Sequence, residues 1–149
     1  GLLNIPSDGV TDVVIAGMGG ETIIHILKEC KWIKNDVNLI LQPMTKIPLL
    51  RVWLCENGFD IVCEKIVCEG RFFYTVMKAV YDGNIHSLSE FERELGISDW
   101  NDDTVKAYGN FRYSQFEKVC MNLEKANPDA ACVYRNIMHE IALKCKDVE

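Results

Sequence analysis

The chain has 149 residues, of which 48% are hydrophobic and 26% charged, values that suit one ordinary globular domain or a small domain with an appendage. It contains no secretory signal and no apolar run near the ~20 residues that a membrane span requires, so we expect no membrane partner. The net charge of −6 disfavours a broad basic surface for nucleic acid, and any RNA-binding surface must be local or lie on sequence outside this chain.

The seven cysteines include no C-x-x-C pair and no nearby histidine at metal-ligand spacing. Several fall on predicted apolar faces, where a free thiol behaves as a small hydrophobic side chain. We therefore expect reduced core thiols in a cytoplasmic protein rather than a disulfide framework, and we expect no metal site.

A strand, a glycine turn and a helix are the first predicted elements. Residues 11–16 form a short β-branched apolar run, which is typical of a strand buried on both faces. After the turn at residues 17–20, apolar residues recur at helical spacing through Cys30. Glu21 occupies the first turn of this helix, where a carboxylate suits the helix dipole.

The same pattern then repeats. An apolar run over residues 37–41 ends at Gln42 and Pro43, and a second helix starts at about Pro48 and stops at Asn57-Gly58. Two successive strand–helix units predict a parallel sheet.

Two β-rich runs follow, at residues 59–68 and 72–81, and only three residues separate them. So short a link cannot carry a parallel crossover, and it therefore predicts an antiparallel hairpin. The sequence thus predicts an α/β sheet whose parallel strands are closed by an antiparallel hairpin.

The β-rich pattern gives way to helical patterns after the turn over residues 82–84, so we predict domains at 1–84 and 85–149. The second domain is a helical extension with a short helix from Ser89 and an acidic loop over residues 99–103. Apolar stripes over 113–125 and after Asn127-Pro128 predict an antiparallel helical hairpin.

The first strand starts close to Gly1, so a sheet built from this chain alone would leave an apolar strand at an open edge. We therefore expect further strands upstream in the natural protein.

The glycine turn at residues 17–20 lies where ligands bind in open α/β sheets, and glycines let a ligand approach bare backbone. A dinucleotide fingerprint fails, because Thr22 replaces its third glycine and Gln42 replaces the carboxylate that would hold a ribose. The missing fingerprint argues against the hypothesis that the protein is an NAD-dependent oxidoreductase. The remaining alternative to a ligand site is a tight turn without a ligand.

Several segments in chain order resemble one family. They are Ile15-Ala16-Gly17-Met18-Gly19-Gly20, Leu39-Ile40-Leu41-Gln42-Pro43-Met44, Leu50-Arg51-Val52-Trp53-Leu54, Asn57-Gly58-Phe59, and Glu64 with the strand at Phe73-Tyr74. The family is the bacterial tRNA adenine-22 N1-methyltransferases, class I S-adenosylmethionine enzymes with a helical coiled-coil extension. The resemblance covers residues 1–81. It implies a Rossmann-like class I methyltransferase sheet, S-adenosylmethionine as the cofactor and tRNA as the partner.

The resemblance also implies roles for individual residues. Those expected to shape the catalytic pocket for the adenine are Gly19, Gly20 and Gln42. Those expected near the cofactor are Gly1, Leu2, Ala16, Gly17 and Met18. Those expected to contact RNA are Arg51 and Tyr74.

Other roles stay open for some of these side chains. Gln42 could equally cap a helix or bind a loop, Arg51 could be a solvated helix-face arginine, and Tyr74 could be a core aromatic. Asp8 and Asp12 are candidates for stabilising a charged product, although loop carboxylates usually face water.

The family's first strand and its acidic, glycine-containing cofactor loop have no counterpart in this chain. As it stands, we expect the chain to bind S-adenosylmethionine poorly and to be inactive alone. The alternative function is a non-catalytic nucleotide-binding or protein-interaction module. The helical extension would then bind a protein partner or form a homodimer instead of binding tRNA.

Overall fold

The sheet is built around two parallel strands. β1 (Asp12–Gly19) pairs with β2 (Asn38–Thr45) in parallel, and α1 (Gly20–Glu29) connects them. α2 (Ile47–Glu56) follows β2 and leads into the antiparallel hairpin of β3 (Phe59–Glu69) and β4 (Phe72–Tyr81). This computed structural model describes residues 2–5, 8–34 and 36–146.

The strand order is β1-β2-β4-β3, with β4 antiparallel to β2. The predicted α/β sheet, in which parallel strands are closed by an antiparallel hairpin, is therefore confirmed. Short 3-10 helices cover Leu2–Asn4 and Lys31–Lys34.

One face of the sheet carries the main core. The buried side chains alternate along each strand, as period-two burial requires, and they meet the apolar sides of α1 and α2. The fully buried members include Ile23, Leu39, Leu41, Leu50, Leu54, Phe59 and Met77.

β1 is not buried on both faces, contrary to the expectation from its sequence. Val13 and Ile15 are buried, but Val14 between them is 69% exposed. The reason is position, because β1 forms an edge of the sheet and lies against helices on one face only in the described part of the chain.

Residues 1–97 and 98–149 form two compact units. In the second unit, α4 (Asp103–Leu123) and α5 (Pro128–Lys144) form the predicted antiparallel hairpin. Lys106 contacts Cys145, Phe116 contacts Tyr134 and Cys120 contacts Ala131, so the partners run in opposite directions along the two helices.

α4 starts ten residues before the predicted position at residue 113. Asp102, expected in an acidic loop, caps the helix by accepting a hydrogen bond from the Thr104 amide at 2.7 Å. The sequence pattern missed this first part because it includes Gly109, a poor helix former. Trp100 packs where a Cβ at residue 109 would stand, which accounts for the glycine.

All seven cysteines are free. Cys30, Cys55 and Cys120 are buried, and burial raises the pKa of the Cys30 and Cys55 thiols. Cys63, Cys68 and Cys132 are exposed instead, so only part of the set serves as core thiols. No helix among the described residues is long and apolar enough to cross a membrane.

A buried ion pair fixes the segment that follows the sheet. Arg51 of α2 is 0% exposed, and its Nε donates to Glu64 Oε1 of β3 at 2.9 Å. The Nη1 group of Arg51 also donates to the carbonyls of residues 93 and 94, and Glu64 Oε2 accepts from the Ile97 amide at 2.7 Å. The pair therefore holds α3 (Glu90–Leu95) and its C-terminal turn against α2 and β3.

The predicted domains at 1–84 and 85–149 stay a prediction. The compact units divide after residue 97, and the ion pair ties residues 93–97 to the sheet.

We expect Arg51→Met to lower the free energy of unfolding by about 3–5 kcal/mol, because it leaves the Glu64 carboxylate buried without its partner. Urea unfolding monitored by circular dichroism measures this. Arg71→Met is the matched control, since Arg71 lies exposed at the hairpin turn and its replacement should change stability by less than about 0.5 kcal/mol. Equal losses of unfolding free energy in the two variants would show that the ion pair does not stabilise the fold.

The turn after β4 predicts a pH effect. The Asn84 amide and the His86 ring bind the Asp82 carboxylate, and these bonds lower the pKa of Asp82 from 3.8 to about 2. The stability that ionised Asp82 contributes is therefore complete at pH values above the ordinary pKa of 3.8. It is lost as the pH falls through the lowered pKa of about 2. Carboxyl NMR titration should show this low pKa, and His86→Ala should raise it part of the way back. A titration of the unaltered protein near 3.8 would contradict this.

Candidate active site

The carboxyl ends of β1 and β2 meet at one edge of the sheet, and a side chain joins them. The Gly17 amide donates a hydrogen bond to Gln42 Oε1 at 2.9 Å. Gly17 has a φ of +75°, and the register shifts on both sides of Met18, so β1 carries an irregularity here. Sequence analysis predicted both residues for one site, and the structure brings them into direct contact.

The bond to Gly17 orients the Gln42 carboxamide. A backbone N–H can only donate, so the oxygen must face Gly17. The Nε2 group lies 3.4 Å from the Pro43 carbonyl and 3.3 Å from Met44 Sδ, which are long or weak contacts. The half-buried amide thus keeps hydrogen-bonding capacity on both atoms, because its oxygen has a second lone pair. The loop contact and a ligand contact are therefore compatible roles for Gln42.

Gly19 and Gly20 let the β1–α1 turn approach the β2–α2 turn. A Cβ on Gly20 would stand 2.6 Å from the Lys46 carbonyl oxygen and 3.0 Å from that of Thr45. A Cβ on Gly19 would meet Thr45 Oγ1 at 3.0 Å. The two turns are consequently packed backbone to backbone, and only glycine fits at position 20.

The space in front of Gly17 is open. A Cβ there would meet no atom within 4 Å. Met18 and Met44 lie 42% and 50% exposed on the two strand ends, and they give this edge an apolar rim. Ala16 is exposed as well. Bare backbone, open space and polarizable side chains suit the approach of a planar or sulfur-containing ligand.

The other predicted site residues lie elsewhere. Arg51 is buried in its ion pair with Glu64, which does not support a role in phosphate contact. The position of Arg51 on a helix and its charge indicated a side chain exposed to solvent. Nothing in the sequence identified Glu64 as its partner. Tyr74 is half-buried on β4, outside the pairing of β4 with residues 38–41 of β2.

The start of the chain adds little to this edge. Leu2 is half-buried and packs on the core, and Gly1 lies outside the described residues. Asp12 binds Thr11 and Asn38, which lower the pKa of its carboxyl, and it lies at the opposite end of β1 from the glycine turn.

Sequence analysis missed Met44, Thr45 and Lys46. It ended the second strand at Gln42-Pro43, because proline rarely continues a strand. The structure extends β2 to Thr45, and Pro43 lies opposite Met18 in the irregular part of β1, where a ladder hydrogen bond is dispensable. Lys46 has a φ of +55° and precedes α2.

Comparison with known proteins identifies the domain that carries this edge. The methyltransferase-domain family matches residues 1–77, more than half of the 149-residue chain. The chain belongs to the methyltransferase-domain family. Over 65 residues it is 37% identical to a candidate tRNA methyltransferase of Mycoplasma genitalium, an alignment that covers 43% of this chain and 28% of that relative. The chain thus spans less than a third of the curated relative that it matches.

Solved methyltransferase structures agree with this. A candidate tRNA (m1A22) methyltransferase of Streptococcus pneumoniae is 26% identical, with a TM-score of 0.78 over 98% of this chain and 67% of that chain. The same protein in complex with S-adenosyl-L-methionine gives 27% identity and a TM-score of 0.75, with 98% and 65% covered. The B. subtilis m1A22 tRNA methyltransferase, at 23% identity and a TM-score of 0.66 over 97% and 64%, shares the fold. The resemblance to tRNA adenine-22 N1-methyltransferases is therefore confirmed.

A metal ion at this edge would require a converging set of ligand side chains. Across residues 2–5, 8–34 and 36–146, no group of three histidine, cysteine or acidic side chains could hold a metal ion. The groups available are backbone amides, the Gln42 carboxamide and the two methionines.

The glycine turn predicts a graded series of variants. Gly20→Ala should cost the most stability, because its Cβ collides with backbone. Gly19→Ala should cost less, because its Cβ meets only the Thr45 hydroxyl, and adding Thr45→Ala should restore it. Gly17→Ala should cost about 1 kcal/mol through its positive φ alone. Thermal unfolding ranks the variants, and a Gly19→Ala loss that Thr45→Ala does not relieve would contradict this packing.

Proposed function

We propose that the protein transfers a methyl group from S-adenosylmethionine to N1 of adenine-22 in tRNA, and that it does so in the cytoplasm. The observation that carries the proposal is the glycine turn bound to Gln42 at the carboxyl edge of a methyltransferase sheet. Relatives with this architecture are described as tRNA m1A22 methyltransferases, and one was solved with S-adenosyl-L-methionine.

The residues present fit a bound cofactor beside β1. The open space at Gly17 and the exposed backbone from Ala16 to Met18 leave room for it, and we place Leu2 and Gly1 nearby only by resemblance. S-adenosylmethionine, when bound, supplies an electrophilic methyl group. The protein's own part is to present the adenine to it.

Adenine N1 has a lone pair, so no residue needs to remove a proton before transfer. Catalysis can then rest on holding the base in line and on stabilising the positive charge that develops on it. Gly19 and Gly20 leave room for the base against the turn. The free lone pair of Gln42 Oε1 accepts a hydrogen bond from the 6-amino group, whose hydrogens gain positive character as N1 is methylated.

The adenine must leave its stacked position in the folded RNA to reach this edge. Tyr74 remains our candidate for stacking on the base or its neighbour, whereas Arg51 is withdrawn as an RNA contact. We assign the helical extension to tRNA binding, and its alternative, a homodimer contact, is decided by the oligomeric state in solution.

The test uses the protein expressed from its complete natural reading frame and an unmodified tRNA transcript. We expect transfer of one labelled methyl group per tRNA, recovered as 1-methyladenosine, and no transfer to a transcript with guanine at position 22. Absence of transfer to the adenine-22 transcript, or equal transfer to both transcripts, would overturn the proposal.

Gln42→Ala should lower kcat by about 10–100-fold, because the turn and the base lose their common anchor. Gln42→Glu keeps an acceptor and should retain more activity than Gln42→Ala at equal stability. The matched control is Asn38→Ala, since Asn38 Nδ2 joins the same two strands at their opposite end by donating to Asp12 Oδ1 at 2.9 Å, and its kcat should stay within about twofold. An unchanged kcat in Gln42→Ala would remove Gln42 from the site.

A further inference from the structure

A groove runs along the outer surface between α1 and α2. It consists of two adjoining cavities of about 370 and 360 Å³ that share Lys28 and Trp53. Its apolar lining comes from residues such as Ile24, Leu27 and Val52. The first cavity starts at Glu21, next to the glycine turn, and the second reaches Lys34 beyond the C-terminal end of α1.

The two cavities differ in charge. The first is lined by two carboxylates, Glu21 and Glu56, and by one lysine, Lys28, with His25 beside them, so acidic groups outnumber the lysine. Among the described residues, the second is lined by Lys28, Lys31 and Lys34 and by no carboxylate. The positive charge of the groove is therefore concentrated in the second cavity, although the chain as a whole has a net charge of −6.

The three lysines are available for a ligand. Each is exposed, and none of them forms an ion pair with a carboxylate in the described part of the chain. The Nζ of Lys34 lies 4.9 Å from the centre of the Tyr81 ring. This contact with a neutral ring does not neutralise the charge of the lysine.

Trp53 supplies a fixed aromatic surface between the cavities. Its ring stacks on buried Phe59 with 6.0 Å between centroids and 30° between planes, while its own side chain stays half-exposed. Asn57, whose amide donates to the Trp53 carbonyl at 2.8 Å, closes the basic end. Cations that contact phosphates, beside an aromatic side chain on which a base can stack, are a combination typical of nucleic-acid binding sites.

We infer that this basic cavity, lined by Lys28, Lys31, Lys34 and Trp53, holds backbone phosphates of the substrate tRNA. The inference rests on the proposed function. It gives this acidic chain a local basic surface for RNA, in addition to the helical extension. α1 has ten residues, so the cavity lies about 15 Å from the glycine turn, a short distance on the scale of a folded tRNA. Glu21 and Glu56 repel phosphate from the first cavity and so direct the backbone to the lysines.

The test measures binding of a fluorescent, unmodified tRNA transcript to the protein expressed from its complete natural reading frame, over a series of salt concentrations. Lys28→Gln with Lys31→Gln should raise the Kd about 10-fold or more and lower the salt slope by about two, one for each lost phosphate contact. The Kd for S-adenosylmethionine and the kcat at saturating tRNA should stay unchanged. A merely structural role of the lysines would not produce this split.

The control is Lys65→Gln with Lys78→Gln, which removes the same charge from the β3–β4 hairpin, outside the groove. It should leave the salt slope almost unchanged. If the unaltered protein methylates tRNA but the groove variant binds like the control, the inference is overturned and the proposed function stands. If the unaltered protein neither binds nor methylates tRNA, the proposed function fails and the inference fails with it.

Discussion

The hydrogen bond from the Gly17 amide to Gln42 joins the ends of two parallel strands at the point where each chain turns into a helix. Gly17 adopts a positive φ at this bond, and Gly20 lets the Lys46 carbonyl oxygen of the second turn come within 2.6 Å of where a Cβ would stand. The site thus depends on backbone geometry rather than on a reactive side chain. This arrangement agrees with the proposed reaction, whose nucleophile, adenine N1, needs no activation and whose rate would depend on positioning.

The buried pair of Arg51 and Glu64 has a different task. The two groups bind each other and also bind backbone in the segment 93–97, so one charge pair connects α2 and β3 to the residues that follow the sheet. Gly96 permits this closeness, since a Cβ there would stand 1.9 Å from Glu64 Oε2. α2 is therefore fixed on its inner side, and its outer side is left to form the groove with α1. Of the residues that line the proposed tRNA contact, Trp53 belongs to this helix, whereas Lys28 belongs to α1.

Residue patterns predicted the features that depend on local order. The glycine turn after an apolar run, and the three-residue link between two β-rich runs, were sufficient for the parallel unit and the antiparallel hairpin. They could not predict partners distant in sequence. Arg51 looked like a surface arginine because Glu64 is 13 residues away on another element. α4 was predicted too short because Trp100 compensates for Gly109 only in three dimensions. Pro43 seemed to end a strand that in fact continues beside an irregular neighbour. The roles of Gly17, Gly19, Gly20 and Gln42 in catalysis remain proposals.

We propose that the turn at residues 17–20 and Gln42 form the substrate side of a methyl-transfer site. The most direct measurement is a crystal structure of the protein, expressed from its complete natural reading frame, with S-adenosylhomocysteine and an RNA containing the target adenine. We expect the adenine to lie against the glycine turn, with its 6-amino nitrogen about 2.7–3.2 Å from Gln42 Oε1. An adenine bound away from this edge, with Gln42 still bound only to Gly17, would contradict it.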